Sequence, residues 1–466
     1  MTTGEREDAS FRDPAGFVYY IDNRVFRGVT NVGAPAYEFV RESGLLPGLI
    51  ESGKLIDMEE VSTSKYPAPS NDIKYVLEHP RLPFVSYPYE WCFSALQSAA
   101  LLQLEILTEA LRHNVTLSDA SAFNIQFSGS SPVFIDALSF RPYRDGEYWL
   151  GHRQFCNEFL NPLLLSALRG VSFNAWVRGS MQGISVEELN KLLGWRDKLD
   201  WRVLTNVTLP AWFQRSAHQG VSTAVGRIAR PLPRSSFYQL IQGLKRLIIG
   251  LKNRSGLIGD WRNYEIKNSY DATAQETKTE FVRRFVSAVR PSMLLDIGCN
   301  TGAYSEIALN AGADFVVGFD ADPAVVDAAY HRAITRDLNF LPLVLDAANP
   351  SPDQGWRHLE RKSFAARAGA DGLLSLAFLH HLVIGQNVPL SEAVSWIIAL
   401  APQGIIEFVE KDDPMLRAML ETREDIFPDY CREAFLAAFK DTSEIVDIQE
   451  ISGDRRVLVW YRRRQN

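Results

Sequence analysis

The chain reads as an α/β protein in which a C-terminal, doubly wound, mostly parallel seven-stranded sheet follows an α+β N-terminal region. Two observations carry that expectation. From about residue 280 onward, apolar strand-like runs alternate with helical patterns, the βαβ order that builds a parallel sheet. One of those runs leads into a glycine-rich turn that opens a helix. Before residue 150 the pattern is instead a hairpin, a long helix and short strands.

Each element has its own signal. GFVYYIDNRVFRGVT places two apolar-rich segments around Asp22-Asn23 and predicts a β-hairpin. AYEFVRESGLLPGLIESG is a helical pattern punctuated by glycines. After Trp91, CFSALQSAALLQLEILTEALRHN has apolar residues at helical spacing in an Ala/Leu/Glu-rich run, so a long, mostly buried helix is expected. Residues 148 to 215 look helical, with Trp176, Trp195, Trp201 and Trp212 expected as core anchors. GVSTAVGRIARPLPRSS reads as a linker.

FYQLIQGLKRLIIGLK then puts Phe237, Leu240, Ile241, Leu244, Leu247, Ile248 and Leu251 on one helix face, with Lys245, Arg246 and Lys252 off it. Such a helix can lie on a membrane surface or pack between domains, and packing is the expectation. MLLDIG, FVVGFD, FLPLVLD, GLLSLAFL, GIIEFVE, EIVDIQEI and RVLVWYR are the C-terminal strands. The expected division is 1–215, 216–259 and 260–466.

Composition bounds the function. A chain of 466 residues, 46% hydrophobic and 23% charged, holds two or three real cores. A net charge of −7 argues against a generic nucleic-acid binder. Four scattered cysteines form no C-x-x-C pair, so neither a disulfide framework nor a zinc site is expected, and a reducing compartment fits. The polar, acidic start is no signal peptide, and no apolar run is long enough to span a bilayer. A cytoplasmic protein is expected, with peripheral membrane contact of the amphipathic helix left open.

The sharpest motif is LLDIGCNTGAYSEIAL, a strand running into a turn with Gly298 and Gly302 and then a helix. VVGFDADP places Asp320 at the next strand end, eighteen residues after Gly302, where a carboxylate can hold ribose hydroxyls. LPLVLDAANP places Asp346 at the third strand end, where it can accept from an adenine amino group. A full G-x-G-x-x-G is absent, so the ligand should be a nucleoside without a pyrophosphate.

In this order of motifs the chain, over residues 260 to 466, resembles the class I S-adenosylmethionine-dependent methyltransferases, whose sheet is Rossmann-like. Asn300 stands where the family's turn usually has its central glycine, a mild change because Asn tolerates left-handed backbone. The resemblance implies that Asp296 and the backbone of 298–302 meet the methionine end of the donor, Asp320 the ribose, and Asp346 with Ala347 the adenine. Tyr264 and Tyr270 upstream are candidates to close over the donor. LAFLHHL after the fourth strand supplies His380 or His381 as a base, and adjacent positions diverge, so at most one serves. Glu407, Glu410 and Lys411 are weaker acceptor-side candidates. There is no Asn/Asp-Pro-Pro-aromatic motif after that strand and no Pro-Cys nucleophile, so the acceptor is expected to be a small molecule, glycan or glycolipid rather than nucleic acid.

In LSDASAFNIQFSGSSPVFIDALSF, Asp119, Asn124 and Asp136 match three places of a protein-kinase catalytic loop and metal-binding strand. That resemblance implies Asp119 as proton acceptor, Asn124 and Asp136 as metal ligands, and Mg and ATP as cofactors of the N-terminal region. FVSYPYEW would be the hinge between lobes. The departures are serious: Leu117-Ser118 replace His-Arg, Ala-Leu follows Asp136, and no glycine-rich phosphate loop covers the first hairpin. An inactive kinase-like fold is therefore expected ahead of an active kinase. SYPYEW, DASAFNIQF, FIDALSF and RQFCNEFLNPLLL, with the methyltransferase motifs behind them, resemble the NoeA-type group of host-specific nodulation proteins over most of the chain. That implies a stand-alone methyltransferase with a fused N-terminal region, and no particular substrate.

Overall fold

The computed structural model describes residues 4–209, 231–254, 272–421, 424–451 and 455–464. Its N-terminal strands β1 (Glu5–Arg6), β2 (Gly16–Ile21), β3 (Arg24–Thr30), β4 (Glu59–Val61) and β5 (Ile73–His79) form an antiparallel sheet in the order β1-β2-β3-β5-β4. Asp22 and Asn23 both take positive φ, 48° and 67°, at the two-residue turn between β2 and β3. That is the left-handed pair which matches strand twist in a tight hairpin.

The helix Phe93–Arg112 follows in the chain and is buried along most of its length. Two short hairpin-like pairs follow: β6 (Val115–Leu117) with β9 (Phe140–Pro142), and β7 (Ile125–Ser128) with β8 (Ser131–Phe134). The helix Arg234–Ile249 buries Phe237, Ile241, Leu244, Leu247 and Ile248, and it packs on Phe93–Arg112. Gln97 donates to the carbonyl of Ile248 at 2.7 Å, and Lys245 pairs with Glu105 at 3.4 Å. The apolar face is thus already covered by protein.

The tryptophan expectation needs correction. Trp176 packs partly buried against the core, but Trp195 and Trp201 are 69% and 71% exposed. Trp195 opens the one-turn helix Trp195–Lys198, whereas Trp201 opens a helix that continues through Thr208 and turns Val203 and Val207 inward, leaving the tryptophan on its outer side. The guanidinium of Arg196 lies over the Trp195 ring, 5.1 Å from its centre. Trp212 lies outside the described residues, as does most of the expected linker.

All seven expected C-terminal strands form: β10 (Leu294–Ile297), β11 (Val316–Asp320), β12 (Phe340–Val344), β13 (Gly372–Ser375), β14 (Gln403–Val409), β15 (Ser443–Ile451) and β16 (Arg456–Arg463). Their order is β12-β11-β10-β13-β14-β16-β15, with β16 the antiparallel insertion between β14 and β15. The order reverses between β10 and β13, so a crevice opens beyond their carboxyl ends.

The two halves share one buried apolar cluster, which runs from Val29 to Tyr461. Across their contact the Ser94 amide donates to Asp327 at 2.8 Å, the Tyr330 hydroxyl donates to the Ser130 carbonyl at 2.9 Å, and Phe84 meets Phe319 edge-on.

Candidate methyl-donor site

The turn after β10 is built from three left-handed residues: Gly298, Asn300 and Gly302, at φ 80°, 50° and 81°. A Cβ on Gly302 would lie 2.5 Å from the Phe340 ring, so both conformation and space demand glycine there. Asn300 manages the same region with a side chain, and its Oδ1 accepts the Thr301 amide at 2.7 Å. The turn is tied to the next strand, because the Asn300 amide donates to Asp320 Oδ2 at 3.1 Å. Asp320 Oδ1 accepts the Asp322 amide at 3.0 Å. Each carboxylate oxygen therefore keeps a further lone pair for a ligand hydroxyl. Burial raises the Asp320 pKa above its ordinary value.

A cavity of about 900 Å³ lies at this crevice, within the range of small-molecule and cofactor sites. Asp296, Gly298, Asn300, Asp320, Asp346 and Ala347 all line it, and so does His381. Gly302 shapes the turn from behind. Asp296 is buried, accepts the Ser305 hydroxyl at 2.6 Å, and has its pKa pushed by that burial up to about 6. Exposed Asp346 accepts the Ala348 amide at 2.9 Å.

The two histidines separate as adjacent helical positions must. His381 reaches the cavity, with burial lowering its pKa. His380 is 1% exposed, and burial, with His381, Arg456 and Lys278 nearby, holds it far below the ordinary imidazole range. Glu407 is no acceptor-side group either: it is buried between Lys278 (2.5 Å) and Arg456 (3.3 Å), and Arg456 also meets Asp413 at 2.8 Å. Glu410 lies beside Arg432 (3.4 Å) and Lys411 beside Asp425 (2.8 Å), both off the cavity lining. Tyr264 and Tyr270 lie outside the described residues.

Sequence reasoning missed two features of the wall. Lys278 lines the cavity although it is 2% exposed, on the same helix face as Phe281, Val282 and Phe285. A lysine in register with buried apolar positions was the signal available. Ala377 lines the wall at φ 51°, a strained conformation for a residue with a Cβ, and nothing in the sequence marks it.

In the N-terminal half, Asp119, Asn124 and Asp136 do come together. The Asn124 amide donates to both Asp119 oxygens, at 3.2 and 3.1 Å, and to the Ser139 hydroxyl at 3.2 Å. Ser139 in turn donates to Asp136 at 2.6 Å, and Arg27 on β3 forms an ion pair with Asp136. Burial pushes the Asp119 pKa up to about 6, aided by the nearby Asp136. Burial works against Asp136 as well, but Arg27 and Ser139 hold its pKa below the ordinary value. This arrangement does not fit a magnesium ion, because a guanidinium already neutralises the carboxylate and the Asn124 amide presents its donor side.

No family model matches the chain. Over 459 residues it is 42% identical to the nodulation protein NoeA of Rhizobium meliloti (strain 1021), spanning 98% of this chain and 96% of that protein. The chain belongs to the NoeA family. Among solved structures it is similar to the N-methyltransferase NodS of Bradyrhizobium japonicum WM9 in complex with S-adenosyl-L-homocysteine, at 15% identity and a TM-score of 0.31, over 45% of this chain and 95% of that one. It is also similar to magnesium protoporphyrin IX methyltransferase of Synechocystis PCC 6803, at 18% identity and a TM-score of 0.31, over 44% and 93%. The fold assignment rests on the strand order and the turn after β10 rather than on those two likenesses. By strand order and turn, the C-terminal half of this NoeA-family chain has a doubly wound, Rossmann-like fold with its ligand crevice at the β10/β13 switch point.

Proposed function

We propose that this protein transfers a methyl group to a small-molecule, glycan or glycolipid acceptor in the cavity at the β10/β13 crevice. The observation that carries the reading is the convergence of Asp296, the left-handed turn, Asp320 and Asp346 on one cavity of nucleoside size. Asp296 and the 298–302 backbone would hold the methionine end, Asp320 the ribose, and Asp346 with Ala347 the adenine edge. The bound donor supplies an electrophilic methyl on a sulfonium. What the chain adds is alignment, which alone can account for much of a displacement rate. His381 is the base in this reading: its lowered pKa leaves it neutral near pH 7 and able to take a proton from an acceptor hydroxyl or amine.

Screening acceptors with labelled donor tests this directly. His381→Ala should lower turnover by about a hundredfold or more while S-adenosylhomocysteine still binds. Undiminished turnover would remove His381 from the chemistry.

The division 1–215, 216–259 and 260–466, a kinase-like N-terminal module that helps to place the acceptor, and a cytoplasmic site of action belong to the same proposal. Support for the compartment comes from four unpaired cysteines and from the absence of any described helix long and apolar enough to cross a membrane. A second reading, a methyltransferase that is also an ATP-dependent carbohydrate kinase, draws on the gathering of Asp119, Asn124 and Asp136. The Arg27 ion pair weighs against it. Calorimetric titration with Mg²⁺ and ATP decides: binding lost in Asp136→Ala would favour the kinase, and no binding in the wild type would retire it.

A further inference from the structure

The segment expected to be a hinge is buried between the halves. Ser86, Glu90 and Trp91 are 0–1% exposed, and Tyr87 and Tyr89 are 7% and 3% exposed. We infer that residues 86–91 and Arg178 form a brace on the adenine side of the donor cavity, with Arg178 as a positioning residue for donor binding. This rests on the donor-site reading above.

Asp346 and Ala347 line the cavity, and within three residues the chain is in the grip of the N-terminal half. Arg178 Nη1 donates to the Asn349 carbonyl at 2.8 Å, while Nη2 donates to the Pro350 carbonyl at 2.9 Å and to Asn349 Oδ1 at 3.2 Å. Gln354 returns a bond to the Arg178 carbonyl at 2.9 Å. A planar fork holding three acceptors fixes both position and orientation of the loop, which an ammonium could not do. The next residue, buried Ser351, donates to Glu90 Oε1 at 3.1 Å, and Glu90 is locked in turn by Arg367 at 2.5 Å.

The brace has a rigid base. Asn174 opens the helix Asn174–Gly179 that carries Arg178, and its amide donates to the carbonyls of Tyr89 and Trp91, both at 2.9 Å. Gln126 and the Ser86 backbone exchange two bonds of 2.9 Å. Phe84, just before the segment, packs edge-on against Phe319, which lines the cavity from β11. None of these N-terminal groups lines the cavity, so their effect on the donor passes through the loop and through Phe319.

The test uses the full chain and two ligands, S-adenosylhomocysteine and S-inosylhomocysteine, which differ at the purine 6-position. Both are titrated calorimetrically into the wild type, Arg178→Met, Arg178→Ala and Arg178→Lys, with each variant's melting temperature recorded. The wild type should prefer the adenine ligand. In Arg178→Met, which keeps the aliphatic stem, and in Arg178→Ala, affinity for it should fall about tenfold and the preference should narrow, with Lys restoring part of each. Wild-type affinity in the Met and Ala variants, or an equal loss for both ligands, would reduce Arg178 to a packing contact and overturn the inference. Failure of the wild type to bind either ligand would instead overturn the donor-site reading, and the inference with it.

Discussion

At the scale of single residues, Asp296 gives the proposed donor site an expected pH dependence. Its pKa rises from 3.8 to about 6 on burial, so the folded protein holds a proton that the unfolded chain has released between those values. That contribution to stability is fully present below about pH 4 and is lost as pH rises through 6, roughly 3 kcal/mol in all. Asp296→Asn should therefore melt higher than the wild type at pH 8 and lose that advantage at pH 4, as scanning calorimetry can show. Ligand binding runs the other way. A cationic amino group favours the ionised carboxylate, so S-adenosylhomocysteine affinity should climb up to about pH 6 and level off, and the Asn variant should not show that rise. The groups nearest Asp296, Ser305 and Lys278, lower its pKa against burial, and Asp320 adds to the rise. The acidic positions were legible because a strand end announces where its side chain must go. The fate of the histidines was not, since only the helix rotation at residues 379–386 decides which ring meets the cavity.

At the scale of elements, sequence periodicity carried the C-terminal sheet strand by strand, because buried parallel strands are continuous apolar runs between helices. It misled for residues 195–209, where aromatic content suggested that the tryptophans anchor a core, yet the helix from Trp201 turns Val203 and Val207 inward and leaves Trp201 outside. The turn after β10 makes a sharp prediction. Gly302→Ala combines a left-handed φ with a clash against Phe340, and it should cost at least about 1–2 kcal/mol and weaken ligand binding, read by denaturation and calorimetry. The Arg234–Ile249 helix makes another. Its apolar face is occupied by Phe93–Arg112, so Leu244→Ala should destabilise the protein by about 2–5 kcal/mol. The folded protein should also fail to sediment with anionic vesicles, and vesicle binding would mean that the face can be released.

At the scale of the whole molecule, the continuous core and the buried Arg367–Glu90 pair argue that the two halves fold together. Removing one partner of such a pair is costly, so Glu90→Ala should lose about 3–5 kcal/mol. Calorimetric unfolding should show one cooperative transition, and two well-separated transitions would contradict a shared core. The joint between the halves was the least legible feature, since Glu90, Arg178 and Arg367 sit far apart in sequence and no local pattern pairs them.

The most direct test of the donor site remains the titration of the wild type and Asp320→Ala with S-adenosylhomocysteine. One site per chain, with affinity falling at least tenfold in the variant, is the expected result for a carboxylate that holds ribose hydroxyls. Unchanged affinity in Asp320→Ala, or no binding at all by the folded wild type, would contradict the assignment of this cavity to the methyl donor.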